Sequence, residues 1–123
     1  MRYITDRKRA VGLGSGREGT QHHWQMMVTS MLLVVLVPAF VITVGLGSGG
    51  TDEEVVAYFA RPIPALITML SLVVGIFHVM NETNVAVEDY VPGTAGKLTM
   101  VAVTAFSYTL MAAGVFAILR IAL

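Results

Sequence analysis

Three long apolar segments constrain the fold of this chain more than any other feature of its sequence. They cover about 24–46, 63–88 and 98–119 and carry few charged side chains. Each reaches or approaches the ~20 residues that an α-helix needs to cross the hydrocarbon core of a bilayer. No stretch between them is long enough to form a domain of its own. Residues 1–123 are therefore predicted to form a single all-α membrane unit with three transmembrane helices.

Composition supports a membrane environment and excludes several functions. Apolar residues make up 55% of the chain and charged residues only 13%, whereas a soluble domain carries roughly 25% charged residues. The formal net charge is zero, which gives no basic surface for nucleic acid. The chain has no cysteine, so it cannot itself hold a disulfide, a thiolate metal site or an iron–sulfur cluster.

The distribution of lysine and arginine predicts the orientation. Six of the eight basic residues lie in segment 1–23 or in the loop after the second span, and two lie on the opposite side. Because positive charge is retained on the cytoplasmic side, the sequence predicts that the N-terminal segment lies on the cytoplasmic side, or on the matrix side in an organelle. The C-terminus is predicted to lie on the opposite side, the periplasm in a bacterium. The first group is Arg2, Arg7, Lys8, Arg9, Arg17 and Lys97, and the second is Arg61 and Arg120.

A histidine lies within the second span. His78 is followed by Glu82 and, eleven residues after the histidine, by Asp89 and Tyr90. At 100° per residue, an unbroken helix places Glu82 and Asp89 on the face of His78, with Asp89 about 16 Å along the axis. This polar face could be a proton or electron route, or a seam that faces the bundle.

Each of these residues has a functional and a structural interpretation. An ionisable side chain inside a span usually marks a functional site, and an imidazole in an apolar bundle suits an axial haem ligand. The alternative is a neutral imidazole hydrogen-bonded to a neighbouring helix. Tyr90 could donate a hydrogen bond to a quinone with support from Asp89, or the two could be ordinary residues of a helix end at the membrane interface.

The segment HVMNETNVAVEDY, His78 to Tyr90, resembles the hydrophobic membrane-anchor subunit (D subunit) of succinate dehydrogenase. That family has a histidine followed eleven residues later by Asp-Tyr. Residues Met1–Trp24, YFARPIPALI (Tyr58–Ile67) and the ending Val103–Leu123 are similar to alphaproteobacterial members. The resemblance therefore covers essentially the whole chain.

The resemblance implies a non-catalytic anchor of succinate–ubiquinone oxidoreductase, respiratory complex II, which serves the tricarboxylic acid cycle and electron transport. Such an anchor packs against a second three-helix anchor, the C subunit (cytochrome b556). The pair holds a b-type haem and binds the iron–sulfur subunit, which in turn binds the flavoprotein that oxidises succinate. The family therefore implies haem b as a shared cofactor and ubiquinone as the electron acceptor.

The resemblance also implies roles for individual residues. His78 would be one axial ligand of the haem iron, and the C subunit would provide the other. Tyr90 would bind a quinone carbonyl with support from Asp89.

The chain departs from the family pattern at two positions. Met27 stands where relatives have an arginine that pairs with a haem propionate, and Glu82 stands where relatives have glycine. His22, His23 and Arg17 are candidate neighbours of a propionate at the cytoplasmic mouth.

Two alternatives to this function remain open from sequence. The related quinol–fumarate reductase anchor carries electrons in the opposite direction on the same plan. A stand-alone small b-type cytochrome or transport subunit would be a different class of protein. The single histidine in a span, which leaves a bis-histidine site incomplete, favours an anchor with an obligate partner.

Overall fold

The computed structural model describes residues 3–12, 14 and 19–123, and these form five α-helices joined by short turns. Their bounds are α1, Asp6–Val11; α2, Gly19–Gly47; α3, Asp52–Phe59; α4, Pro62–Tyr90; and α5, Gly93–Ala122. Among the described residues, α2, α4 and α5 are the helices long and apolar enough to cross a membrane. The all-α fold with three long apolar helices is as predicted.

The three long helices lie in a row with α4 in the middle. Helix α4 packs against both α2 and α5, whereas within the described residues α2 and α5 do not pack against each other. Thr29 of α2 contacts His78 of α4, and Leu36 contacts Ser71, so the residue numbers rise on one helix as they fall on the other. The same opposed order relates α4 to α5. The row is therefore antiparallel and does not close into a bundle.

Polar and small residues bring the helices together at defined levels. The Ser71 hydroxyl donates to the Leu36 carbonyl at 3.4 Å, and Asn84 Nδ2 donates to Thr104 Oγ1 at 3.0 Å. Gly114 lies against Leu72, where an added Cβ would come within 2.6 Å of a leucine methyl carbon. Such hydroxyl, amide and small residues are typical of contacts between membrane helices, because lipid tails give apolar side chains no reason to leave the lipid.

Helix α3 forms the link between α2 and α4. Its first turn is closed by a capping box, in which Glu54 N–H donates to Thr51 Oγ1 at 3.4 Å and Thr51 N–H donates to the Glu54 carboxylate at 2.9 Å. At its other end the Arg61 guanidinium lies 5.7 Å from the centre of the Tyr58 ring. The sequence predicts a short interfacial helix within EEVVAYFARP, Glu53–Pro62, and the structure has a short helix at Asp52–Phe59.

Most large apolar side chains of the long helices are exposed. No side chain among the described residues is completely buried, and the buried positions are held by small or flexible residues. These are Met26, Thr43, Gly47, Pro64, Ala65, Ser71, Met80, Gly96, Ser107 and Met111. A surface this apolar is compatible with lipid or with another apolar protein surface, and the chain is a multi-pass membrane protein.

Two helix boundaries differ from the expected ones. Residues 91–97 are expected to form the turn between the second and third spans, but α5 already begins at Gly93. Gly93 has a φ of 72°, a conformation that glycine adopts without strain, so the chain reverses within Val91 and Pro92. At the other end, α2 begins at Gly19, five residues before the span expected from hydrophobicity alone.

Candidate functional site

His78 lies at the contact between α2 and α4. Its side chain is half-buried, and Nδ1 lies 2.9 Å from Oγ1 of Thr29, which is half-buried on the facing helix. This hydrogen bond joins two residues that are 49 positions apart in the chain. The contact agrees with the structural interpretation of His78, a histidine bonded to a neighbouring helix. It uses only one of the two ring nitrogens, so it leaves the ligand interpretation open.

Helix α4 continues unbroken from Pro62 to Tyr90, as the shared face of His78, Glu82 and Asp89 requires. Glu82 lies one turn after His78, and both residues are on the side of α4 that meets α2. Within the described residues, no three histidine, aspartate or glutamate side chains converge to form a metal site.

Glu82 lines an open cavity of about 340 Å³ between α2 and α4. The opposing wall comes from α2 and includes His23 and Met27, with Met26, Ser30 and Met31 completing the lining. The two positions at which the chain departs from the family pattern, Met27 and Glu82, thus border the same space. Glu82 contributes a carboxyl group to this space where the resemblance implies glycine, and Met27 contributes a thioether where it implies arginine.

Asp89 and Tyr90 form the last turn of α4, about 16–18 Å along the helix axis from His78. Both side chains are exposed, and that of Tyr90 is 84% exposed. A cavity of about 360 Å³ lies beside them, lined by Glu88, the Val91–Gly93 turn, Gly96, Lys97 and Met100. Neither Asp89 nor Tyr90 lines it. The exposed phenol hydroxyl can therefore meet a ligand from outside this chain.

The three residues considered as propionate neighbours are placed differently. His22 and His23 are in the first turns of α2, and His23 alone reaches the cavity that contains Glu82. His22 is half-buried outside that cavity. Arg17 lies outside the described residues.

Two polar residues that the sequence analysis does not single out contribute to the inter-helix contacts. Thr29 bonds His78, and Asn84 bonds Thr104 while its buried Oδ1 has no partner among the described residues. The sequence contains a signal for Asn84, because an amide within an apolar span needs partners. It contains none for Thr29, because a threonine in a helix can satisfy its hydroxyl on its own backbone.

Comparison with known proteins identifies relatives over the whole chain. The family model described as succinate dehydrogenase/fumarate reductase transmembrane subunit matches residues 1–119. The chain is 46% identical over 123 residues to the succinate dehydrogenase hydrophobic membrane anchor subunit of Paracoccus denitrificans, covering 100% of this chain and 95% of the relative. It is 24% identical over 112 residues to the subunit of the same name from Rickettsia bellii, covering 89% of each chain. No solved structure matches the chain.

An antiparallel row of three apolar helices, with an imidazole inside one span, defines a small multi-pass membrane protein with a polar site between its helices. The match over 119 residues and the 46% identity make the assignment specific. The chain belongs to the family of succinate dehydrogenase and fumarate reductase transmembrane subunits, and its function is that of a succinate dehydrogenase membrane anchor. The prediction made from the His78–Tyr90 segment is confirmed at this level.

Proposed function

We propose that this anchor packs against a second three-helix anchor subunit and shares haem b with it, and that its Tyr90 end forms part of the ubiquinone-reduction site. The pair would hold the iron–sulfur subunit and, through it, the flavoprotein at the membrane. The observation that carries this proposal is the His78–Tyr90 segment on one continuous helix of a chain 46% identical to a succinate dehydrogenase anchor. The names of both relatives favour succinate oxidation over fumarate reduction.

The open arrangement of the helices supports a second anchor. Because α2 and α5 lie on either side of α4 without meeting, the row leaves apolar surface that a closed bundle would bury. His78 remains only half-buried in the chain. A partner helix against this surface would complete the burial of the imidazole and bring the second axial ligand.

The residues present fit a haem held by one imidazole from this chain. Within the described residues the His78 ring has one hydrogen-bond partner, Thr29, at Nδ1. Nε2 is therefore available to coordinate iron, the mode in which histidine binds haem in b-type cytochromes. When bound, haem b would supply a one-electron carrier. The contribution of this chain is to fix the position and orientation of the imidazole in an apolar surrounding.

The exposed end of α4 suits the recognition of a quinone at the membrane surface. The Tyr90 hydroxyl can donate a hydrogen bond to a quinone carbonyl, and Asp89 next to it can orient that hydroxyl or exchange protons with water. Since the chain leaves Tyr90 uncovered, the remaining walls of the site would come from the partner subunits. We place this end on the cytoplasmic side of a bacterial inner membrane, because it shares a side with most of the lysine and arginine residues.

Co-purification tests the assembly. The chain with an affinity tag, expressed in a bacterium whose own anchor gene has been deleted, is expected to recover a second anchor, an iron–sulfur subunit and a flavoprotein from membranes in mild detergent. The isolated complex should oxidise succinate and reduce a soluble ubiquinone. Recovery of the chain alone, with succinate dehydrogenase activity absent from the membranes or found only with another anchor, would contradict the proposal.

Glu82 is expected to lower the midpoint potential of the haem. A carboxylate near the iron would stabilise ferric over ferrous haem, and at an effective dielectric constant of about 20 a nearby unit charge contributes on the order of 1 kcal/mol, or tens of millivolts. Glu82→Gln should therefore raise the potential by roughly 30–100 mV in a redox titration of the purified complex.

Glu88→Gln is the matched control for Glu82→Gln. Glu88 is an exposed residue of the same helix, about 15 Å along the axis from His78. Its replacement should change the potential by less than that of Glu82. Equal shifts in the two variants, or a fall in potential for Glu82→Gln, would contradict the expected effect of Glu82 on the haem.

A further inference from the structure

The hydrogen bond between Thr29 and His78 carries information about the protonation of the imidazole. Thr29 Oγ1 lies 2.9 Å from the Gln25 carbonyl oxygen and 3.1 Å from that of Met26, as well as 2.9 Å from His78 Nδ1. A threonine hydroxyl has one hydrogen to donate and two lone pairs that accept. The two carbonyl oxygens, one turn earlier in α2, can only accept. The hydroxyl hydrogen is therefore directed to the backbone of α2.

Because its own hydrogen is used in this way, Thr29 Oγ1 accepts the hydrogen bond that joins it to His78 Nδ1. The proton between the two side chains then belongs to Nδ1 of the imidazole. A neutral imidazole carries one N–H, so this arrangement leaves the lone pair on Nε2. That tautomer can coordinate a metal through Nε2.

We propose that Thr29 is a positioning residue that holds His78 as the Nδ1–H tautomer and directs its Nε2 lone pair towards the haem iron. The proposal rests on the proposed role of His78 as an axial ligand and adds a residue on another helix to that site. A partner that accepts from the distal N–H of a ligating histidine fixes the ring and makes it a stronger donor to the metal. Both side chains are half-buried within spans, where water does not compete for the bond.

The consequence for the haem has a defined sign. A stronger donor stabilises ferric more than ferrous iron, so the hydrogen bond lowers the midpoint potential. Thr29→Val removes the hydroxyl and keeps the branched shape, and it is expected to raise the potential. It should also broaden or shift the low-field electron paramagnetic resonance signal of the ferric haem, because the ring is no longer fixed. Thr29→Ser keeps the hydroxyl and should resemble the unaltered complex in both measurements.

Thr83→Val provides the control for loss of a threonine hydroxyl near the site. Thr83 lies on the same helix as His78, and its hydroxyl donates to the Val79 carbonyl at 2.7 Å within that helix. It lines the cavity between α4 and α5, so it is directed away from α2. Its replacement should leave the potential and the resonance signal unchanged.

The experiment compares the four complexes after purification with all subunits, using the redox titration and the resonance spectrum. Thr29→Val spectra and potentials equal to those of Thr29→Ser would overturn the proposal. Should Thr29→Val fail to assemble, Thr29→Ala replaces it. Failure of both, with Thr29→Ser normal, would assign Thr29 to helix packing and also overturn the proposal. Retention of the b-type spectrum in His78→Ala would instead refute the ligand role of His78.

Discussion

Replacement of His78 by alanine is expected to remove most of the b-type haem from the assembled complex. His78 lies within the span formed by α4. Its Nδ1 is hydrogen-bonded to Thr29, and its Nε2 has no partner among the described residues. If His78 holds the haem as proposed, its replacement would remove the bond by which this chain binds the iron. The difference spectrum of dithionite-reduced minus oxidised complex should lose most of its α-band per mole of flavin.

Val79→Ala is the appropriate control for His78→Ala. Val79 is the next residue of α4, is 61% exposed and lines the cavity towards α5. It tests whether a smaller side chain in this turn is enough to release the haem. The complex with Val79→Ala should keep its α-band. An α-band of normal size in His78→Ala would show that another residue is the ligand, and loss of the band in both variants would point to a packing defect.

The sequence predicts the long helices well because length and hydrophobicity decide them. A run of about 20 apolar residues can form few structures in lipid, because every backbone amide there must make its hydrogen bonds within the protein. The shared face of His78 and Glu82 follows from helical geometry in the same way, because α4 has no break between them. These features depend on residues close in sequence.

The sequence does not predict which residues meet across helices. The spans contain several threonines, and Thr83, Thr99 and Thr109 each donate to a carbonyl of their own helix, as Thr29 does. Thr29 is distinguished only by the register of α2 against α4, which puts it opposite His78. The same register brings Met27 and Glu82 to one cavity. Since register depends on the packing of whole helices, local pattern cannot give it.

The ends of the helices are less predictable than their middles. Hydrophobicity marks the part of α5 inside the membrane, but Gly93 to Lys97 continue that helix into the polar region. The hydrophobicity of these residues does not distinguish a helix from a turn. They are helical because the chain reverses before them, at Val91 and Pro92. The Tyr90 end of α4 lies at this reversal. The sequence alone therefore does not predict that Tyr90 is the last residue of α4.

Replacement of Tyr90 by phenylalanine is expected to lower ubiquinone reduction by on the order of a hundred- to a thousandfold, the range for loss of one donor to a developing negative charge. The exposed phenol ring is retained in this variant, so the change removes the hydroxyl alone. Because the proposed complex has its flavin and iron–sulfur chemistry in other subunits, oxidation of succinate with an artificial dye should remain close to normal. The two activities are measured on the same purified complex, and their ratio gives the effect on the quinone step.

Tyr108→Phe controls for the loss of a phenol hydroxyl elsewhere on the chain. Tyr108 lies in α5 and is 53% exposed, about 22 Å along that helix from Gly93 at the reversal. Its replacement should leave both activities unchanged, because no quinone carbonyl would approach it at that depth. A parallel fall of both activities in Tyr90→Phe would mean that Tyr90 supports attachment of the other subunits. A fall in quinone reduction alone would show that the Tyr90 hydroxyl binds the quinone. A smaller fall in quinone reduction in Asp89→Asn would show that the carboxylate supports that hydroxyl.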